Sequence, residues 1–190
     1  MRKIALTLQL ILSLVAGVSA SETQAVLDSN TAFYEGETLN YVIPPPRHFK
    51  QAGQEAINDG YSFAFIPDSA EYADAEVIIC VNIYKIRGLS FEDVLTQDTV
   101  SLRKHYGDSL NIWEVDSVTT ATGDMMRTFY VNDKRRFIPN VMISYFDGKT
   151  ELVIFELIIS ERVLRVNAED IFIDSIRRFK ALKRGELGSR

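Results

Sequence analysis

The sequence predicts a single α+β domain: a mainly antiparallel sheet of six or seven strands with helices packed on its faces, an α-β-α sandwich. Three observations carry that expectation. First, Asn140 to Ser160 reads as two strands, Val141–Phe146 and Glu151–Ile159, joined through Asp147-Gly148. Asp-Gly between apolar β-formers is a strong hairpin signal, because glycine tolerates the positive φ of a tight turn. Second, Glu151–Ile159 has seven apolar residues in nine, so both its faces need cover and it belongs in the middle of a sheet. Third, strand-like segments follow one another through short turns around two amphipathic helical stretches, as in an antiparallel sheet covered by helices.

Taken in order, residues 1–20 precede the fold, 21–37 form a polar, flexible lead-in, the domain spans 38–184 and 185–190 are a tail. Thr38–Ile43 alternates Leu39, Tyr41 and Ile43 on one side. Pro44-Pro45-Pro46 ends it, since three successive residues lack an amide donor. Arg47 to Gly60 is a polar connector with weak helical character. Tyr61–Ile66 alternates Tyr61, Phe63 and Phe65, turns at Pro67-Asp68 and leads through the acidic loop Ser69–Ala75 to Glu76–Ile86, a long strand apolar on both faces. Ser90 and Asp93 make a capping-box start for a helix whose Phe91, Val94, Leu95, Leu102 and Tyr106 share a face, and Gly107 stops it. Strands at about Leu110–Val118 and Met125–Val131 precede the hairpin. The last element is a helix from Ala168 to about Lys183, started by Asn167 and Asp170 and lined by Ile171, Phe172, Ile176 and Phe179. Arg177, Arg178, Lys180, Lys183 and Arg184 suit the dipole at its end, ahead of Gly185.

The first twenty residues read as a signal peptide. Arg2 and Lys3 precede a mostly apolar run, Ile4–Val15, and Val18-Ser19-Ala20 supplies small residues for cleavage after Ala20. The run falls short of the ~20 residues of a membrane span, and no later stretch approaches that length, so no span is expected in the mature chain. Without Arg2 and Lys3 there are 19 basic residues against 26 acidic ones, and the formal charge moves from −5 to −7. A net acidic chain speaks against nucleic acid as partner. Cys80 is the sole cysteine, so no internal disulfide forms, and there is no Asn-x-Ser/Thr sequon. Both features suit a bacterial periplasm or a secreted bacterial protein. Charge is also uneven along the chain: Glu22 through Glu76 has ten acidic residues against Arg47 and Lys50, while Glu161 to Arg190 has eight basic against five acidic.

Few residues offer chemistry. Cys80, with Asn82 on the same strand face, is the one thiol, but in VIICVNI it reads as a small core hydrophobe, since a reactive thiol needs an electropositive, accessible setting. His48 and His105 have no oriented partner in the sequence and no G-x-S-x-G elbow is present, so no catalytic residue is assigned. Nothing has zinc-ligand spacing. The loop Pro67–Glu76, with Asp68, Glu71, Asp74 and Glu76, lacks the EF-hand order and its turn glycine, so neither metal nor cofactor is expected. Glu156 interrupts an apolar strand on the face of Leu152, Ile154 and Ile158, where a charge must be paired or line a cavity. Arg127, in the similarly apolar Met125–Val131 strand, is the candidate partner, giving either an ion pair or a ligand-facing carboxylate. Lys134, Arg135 and Arg136 form a basic cluster at a strand end, either a solvated tip or a contact for an acidic surface or anionic headgroup.

Four stretches carry a family resemblance: Tyr61–Pro67 (YSFAFIP), the Ser90–Tyr106 helix set between strands, the hairpin SYFDGKTELVIFEL, and the closing Phe172-x-x-Ser175-Ile176-x-x-Phe179. Together, over roughly Leu39 to Leu182, they resemble the photosystem II oxygen-evolving-complex subunit P (PsbP-like) superfamily, which also includes a Ran-binding nuclear import factor and many exported bacterial proteins. The resemblance implies that fold and a role in binding or assembly. It carries no catalytic signature, so it assigns no site residues.

The leading expectation is an exported, soluble, non-enzymatic binding or assembly protein of the cell envelope. Its contact surface would combine Lys134–Arg136 with the basic final helix, and its partner would be an envelope protein or a second copy. The next is a carrier of a small or lipidic ligand between sheet and helix near Glu156, which requires an apolar pocket above about 300 Å³. A hydrolase comes third, and requires a histidine within hydrogen-bonding reach of a serine or Cys80.

Overall fold

The computed structural model describes residues 30–135 and 137–184. The elements in chain order are β1 (Ala32–Glu35), β2 (Leu39–Ile43), β3 (Phe49–Gln51), α1 (Gly53–Asn58), β4 (Phe63–Pro67), a 3₁₀ turn at Tyr72–Asp74, β5 (Val77–Lys85), α2 (Phe91–Tyr106), β6 (Asn111–Glu114), β7 (Val118–Thr119), β8 (Met125–Asn132), β9 (Asn140–Asp147), β10 (Glu151–Ile159), α3 (Arg165–Arg178) and β11 (Lys180–Lys183). The main sheet runs β3-β4-β5-β10-β9-β8-β6 with β7 also on β8, every pairing antiparallel. It therefore has eight strands, not six or seven. The stretch expected as one strand, Leu110–Val118, is two short ones. A second sheet, β1-β2-β11, stands apart from it.

Apolar content fixes the centre. β10 is buried at all nine positions and lies between β5 and β9, the other strands with few exposed residues. Strand alternation sends its side chains two ways. Val153, Phe155, Leu157 and Ile159 join Phe63, Phe65, Ile79 and Val81 in a cluster with Phe172, Ile176 and Phe179 of α3 and Tyr41 and Ile43 of the small sheet. On the opposite face, Leu152 and Ile154 meet Val94, Leu95 and Leu102 of α2, and Cys80 and Ile158 meet Ala56 of α1. Burying one large apolar side chain is worth about 1.5–3 kcal/mol, so two such layers hold the domain without a disulfide.

The α2 signal is realised as written. Asp93 N–H donates to Ser90 Oγ at 3.2 Å and Ser90 N–H donates to Asp93 Oδ2 at 3.1 Å, while Gly107 ends the helix at φ 91°. Such a cap contributes about 1 kcal/mol.

Three expectations need correction. The lead-in 21–37 is not loose throughout, because Ala32–Glu35 is β1 with Ala32, Phe33 and Tyr34 buried. The final helix stops at Arg178, is preceded by Leu164 and not by Asn167, and gives way to β11, which pairs with β2. Gly148 is required for space and not for φ. It is Lys149 that takes positive φ (70°), whereas a Cβ on Gly148 would collide with the Tyr41 hydroxyl and lie 2.7 Å from the Glu151 carbonyl oxygen. The expected signal peptide, residues 21–29 and the tail 185–190 lie outside the described residues.

Candidate functional site

Glu156 sits on the α2 face of β10, opposite Cys80 of β5 and Ile143 of β9, and is fully buried. Its Oε2 accepts a hydrogen bond from Asn140 Nδ2 at 3.0 Å, and Asn140 Oδ1 accepts one from the Tyr106 hydroxyl at 3.2 Å. Its Oε1 has no hydrogen-bond partner. Asp98, turned inward from α2 and also buried, accepts from the Tyr145 hydroxyl through one oxygen and leaves the other unpartnered. Burial pushes the Glu156 carboxyl up to about 8, the neighbouring Asp98 adds to this, and Asn140 and Asn82 oppose it. Burial raises Asp98 as well, against its Tyr145 hydrogen bond. Two carboxyls share one dry layer with no basic group among those acting on them, so burial favours the uncharged form of each.

Arg127 is not the partner of Glu156. β9 separates their strands, and the guanidinium turns outward: Nε and Nη2 each donate to Glu114 at 2.7 Å, and Nη1 donates to Glu92 Oε1 at 2.6 Å. It lies 5.5 Å over the Phe129 ring and holds the Glu114 carboxyl below the usual carboxylate range. Its role is to tie the first turn of α2 to the edge strand β6.

The two basic regions do not meet. Lys134 and Arg135 are exposed in the β8–β9 turn, where Asp133 accepts from Arg135 N–H at 2.8 Å and from Ser109 Oγ at 2.7 Å. Arg136 lies outside the described residues. The C-terminal end of α3 is near the other end of β8, since Ala121 N–H donates to the Phe179 carbonyl at 3.1 Å just before that strand begins. Eight residues of β8 put roughly 25 Å between the regions, so one surface does not contain both. Cys80 is fully buried, and burial followed by the Glu156 charge raises its thiol well above the ordinary range. Among the described residues, no His, Cys, Asp or Glu cluster has a metal-holding arrangement.

The structure adds a site of another kind. An open groove of about 710 Å³ runs between α3, the start of β5 and the turns flanking β3 and β4. Its apolar lining is Phe49, Val77 and Ile171 with Pro46 and Pro67, and Phe49 and Val77 are themselves buried. The triple proline builds one wall. Lacking amide donors it cannot extend the sheet, and Arg178 of α3 pins it by donating Nη1 to the Pro45 carbonyl at 2.6 Å. Phe49 N–H then donates to the Pro46 carbonyl at 3.2 Å, closing a turn that holds His48 at φ 64°. Positive φ in such a turn normally selects glycine, and a histidine there stores on the order of 1 kcal/mol of strain. Arg47 and His48 line that side together with Asp68, whose N–H donates to the His48 carbonyl at 2.8 Å, and Asp170 and Asp174 of α3 complete the charged lining.

A second opening, of about 250 Å³, is lined by Glu35, Glu37, Lys85, Glu151 and Arg184. Its charges are already engaged, with Lys85–Glu37 and Arg184–Glu35 both at 2.7 Å and buried Glu151 accepting from Tyr41, Thr150 and the Glu37 N–H. The sequence pointed to Asp68 and His48 only as members of an acidic loop and a polar connector. What it did not display is that α3 folds back beside them. A strand-breaking triple proline next to an isolated histidine was the readable signal.

Among solved structures, the fold is similar to the solution structure of cyanobacterial PsbP (CyanoP) from Synechocystis sp. PCC 6803, with 12% sequence identity, a TM-score of 0.47, and coverage of 84% of this chain and 97% of that one. The likeness is one of fold. No family model and no curated protein matches the chain.

Proposed function

We propose that the chain is an exported, non-enzymatic binding protein of the cell envelope that holds its partner along the groove beside α3. The observation that carries this is the groove itself: an open, apolar floor with a proline-stiffened wall and a histidine kept in a strained backbone conformation at its lip. Export is supported by the charged, apolar and small-residue order of the first twenty residues. The non-enzymatic part is supported by the Cys80 thiol being sealed in the core. The exposed turn at Lys134 and Arg135 serves in this reading as a separate, electrostatic contact that steers approach.

The test is native mass spectrometry of the protein gently released from its own envelope, parent against Ile171→Glu, with the mature N-terminus sequenced. A retained protein mass that Ile171→Glu loses, on a chain starting at Ser21, is the expected result. Equal retention by both forms overturns the groove as the site, and a chain starting at Met1 overturns export. The second reading, a carrier of a small amphiphile, is favoured by the same apolar floor and a volume above about 300 Å³, but the cavity lies on the α3 side of the sheet and Glu156 on the α2 side. A retained small mass in the same spectra would select it.

A further inference from the structure

We infer that the groove's occupant is an extended protein segment that sets a lysine or arginine side chain between Asp170, Asp174 and Asp68 and lays apolar side chains on Phe49, Val77 and Ile171. This rests on the groove reading above and adds the chemistry of the partner. Asp170 and Asp174 are one helical turn apart on the groove side of α3, about 6 Å along its axis, and Asp68, just after β4, lines the same groove beside His48, donating its N–H to the His48 carbonyl at 2.8 Å. Among the described residues none of the three takes part in a salt bridge, and the one guanidinium lining the groove, Arg47, stands on the same side as Asp68, next to His48. Three carboxylates against one guanidinium leave the lining net acidic beside its apolar residues, which is complementary to a cation carried on an apolar backbone. The groove is open to solvent and does not enclose its contents, which suits a chain lying on it better than an engulfed lipid. It also borders β3, the outermost strand of the main sheet, whose far edge carries no further strand among the described residues. An extended segment can use such an edge for main-chain hydrogen bonds while the floor takes alternate side chains.

The test uses methyl NMR titration of the full-length mature protein with three synthetic dodecapeptides, alternating Leu with Lys, Leu with Glu, and Leu with Ser, and with dodecyltrimethylammonium below its micelle concentration. The Leu/Lys peptide is expected to shift the Val77 and Ile171 methyls, and D170N with D174N is expected to weaken it about three- to tenfold. The control pair D108N with D116N, the same charge change at exposed positions away from the groove, is expected to leave the affinity unchanged. If the Leu/Glu or Leu/Ser peptide binds as tightly, or if both double variants weaken binding equally, the cation requirement is overturned while the groove stands. If only the alkylammonium shifts these methyls, the protein-segment occupant is overturned in favour of a small amphiphile. If no probe shifts them, the groove reading and this inference fall together.

Discussion

The two faces of the central sheet treat their polar groups in opposite ways. Under α2, Glu156 and Asp98 are sealed from water, and each keeps an unpartnered oxygen. Under α3, the charged residues Asp68, Asp170, Asp174 and Arg47 line an open groove together with apolar Phe49, Val77 and Ile171. The first arrangement has raised carboxyls but no access, whereas the second has charged side chains around an open groove. A perturbed carboxyl marks a site only where something can reach it. Here the buried pair serves the interior, and the accessible chemistry lies on the other side of the sheet.

Four experiments would break or sharpen this contrast. The largest effect belongs to the α3 face. Phe172→Ala removes a fully buried ring and should destabilise the domain by about 3–5 kcal/mol in chemical denaturation; a loss below about 1 kcal/mol would mean that the layer bounding the groove is loosely packed.

The α2 face should show itself through pH. The folded state raises Glu156 from 4.5 to about 8, so the unfolded chain releases this proton first. Its contribution is then fully present below the unfolded value, is lost as pH rises towards about 8, and changes no further above that. The loss is on the order of a few kcal/mol, and Asp98 acts in the same direction. Urea midpoints across that window would measure it. Glu156→Gln keeps the shape, should flatten the profile, and should be no less stable than the parent at the alkaline end. A flat parental profile would show that water reaches the pair.

Arg127→Met should cost about 0.5–1 kcal/mol, less at high salt, because its pairs with Glu114 and Glu92 are partly exposed. Combined with Glu156→Gln it should be additive within about 0.5 kcal/mol, and a larger coupling would reinstate the link between the two residues. The smallest effect is expected from Lys134→Gln with Arg135→Gln. Stability should stay within about 0.5 kcal/mol, while association with the partner slows several-fold at low salt and converges with the parent at high salt. Unchanged association would remove that turn from the recognition surface.

Much of the fold was legible because local and global signals agree. Ser90 and Asp93 cap α2 as their spacing requires, and the unbroken apolar run of Glu151–Ile159 does occupy the middle of the sheet. The misses have a common cause in tertiary pairing. Phe172, Ile176 and Phe179 keep a helical spacing, and the basic residues after them are good helix formers, yet Lys180–Lys183 extends because β2 offers an open edge. Ala32–Glu35 is too short to announce a strand without the opposite edge of β2 to pair with. At the site, Arg127 and Glu156 share a face, so alternation alone allowed them to pair. Strand order decides otherwise, because with β9 between them their backbones are about 10 Å apart, and a nearer pair of carboxylates takes the guanidinium. The groove was illegible for the same reason: its walls come from segments more than a hundred residues apart in the chain, Pro46–His48 and Asp170–Asp174.

The small sheet has a mechanical consequence. β1 and β11 flank β2 and run parallel to each other, each antiparallel to it, and Arg184 bonds Glu35 at 2.7 Å across the end. Tension entering ahead of Ala32 and leaving beyond Lys183 therefore pulls the outer strands in opposite senses along their length. The hydrogen bonds to β2 are loaded together, in shear, instead of being unzipped one at a time. A chain pulled at both ends would keep its groove formed until that clasp failed as a unit.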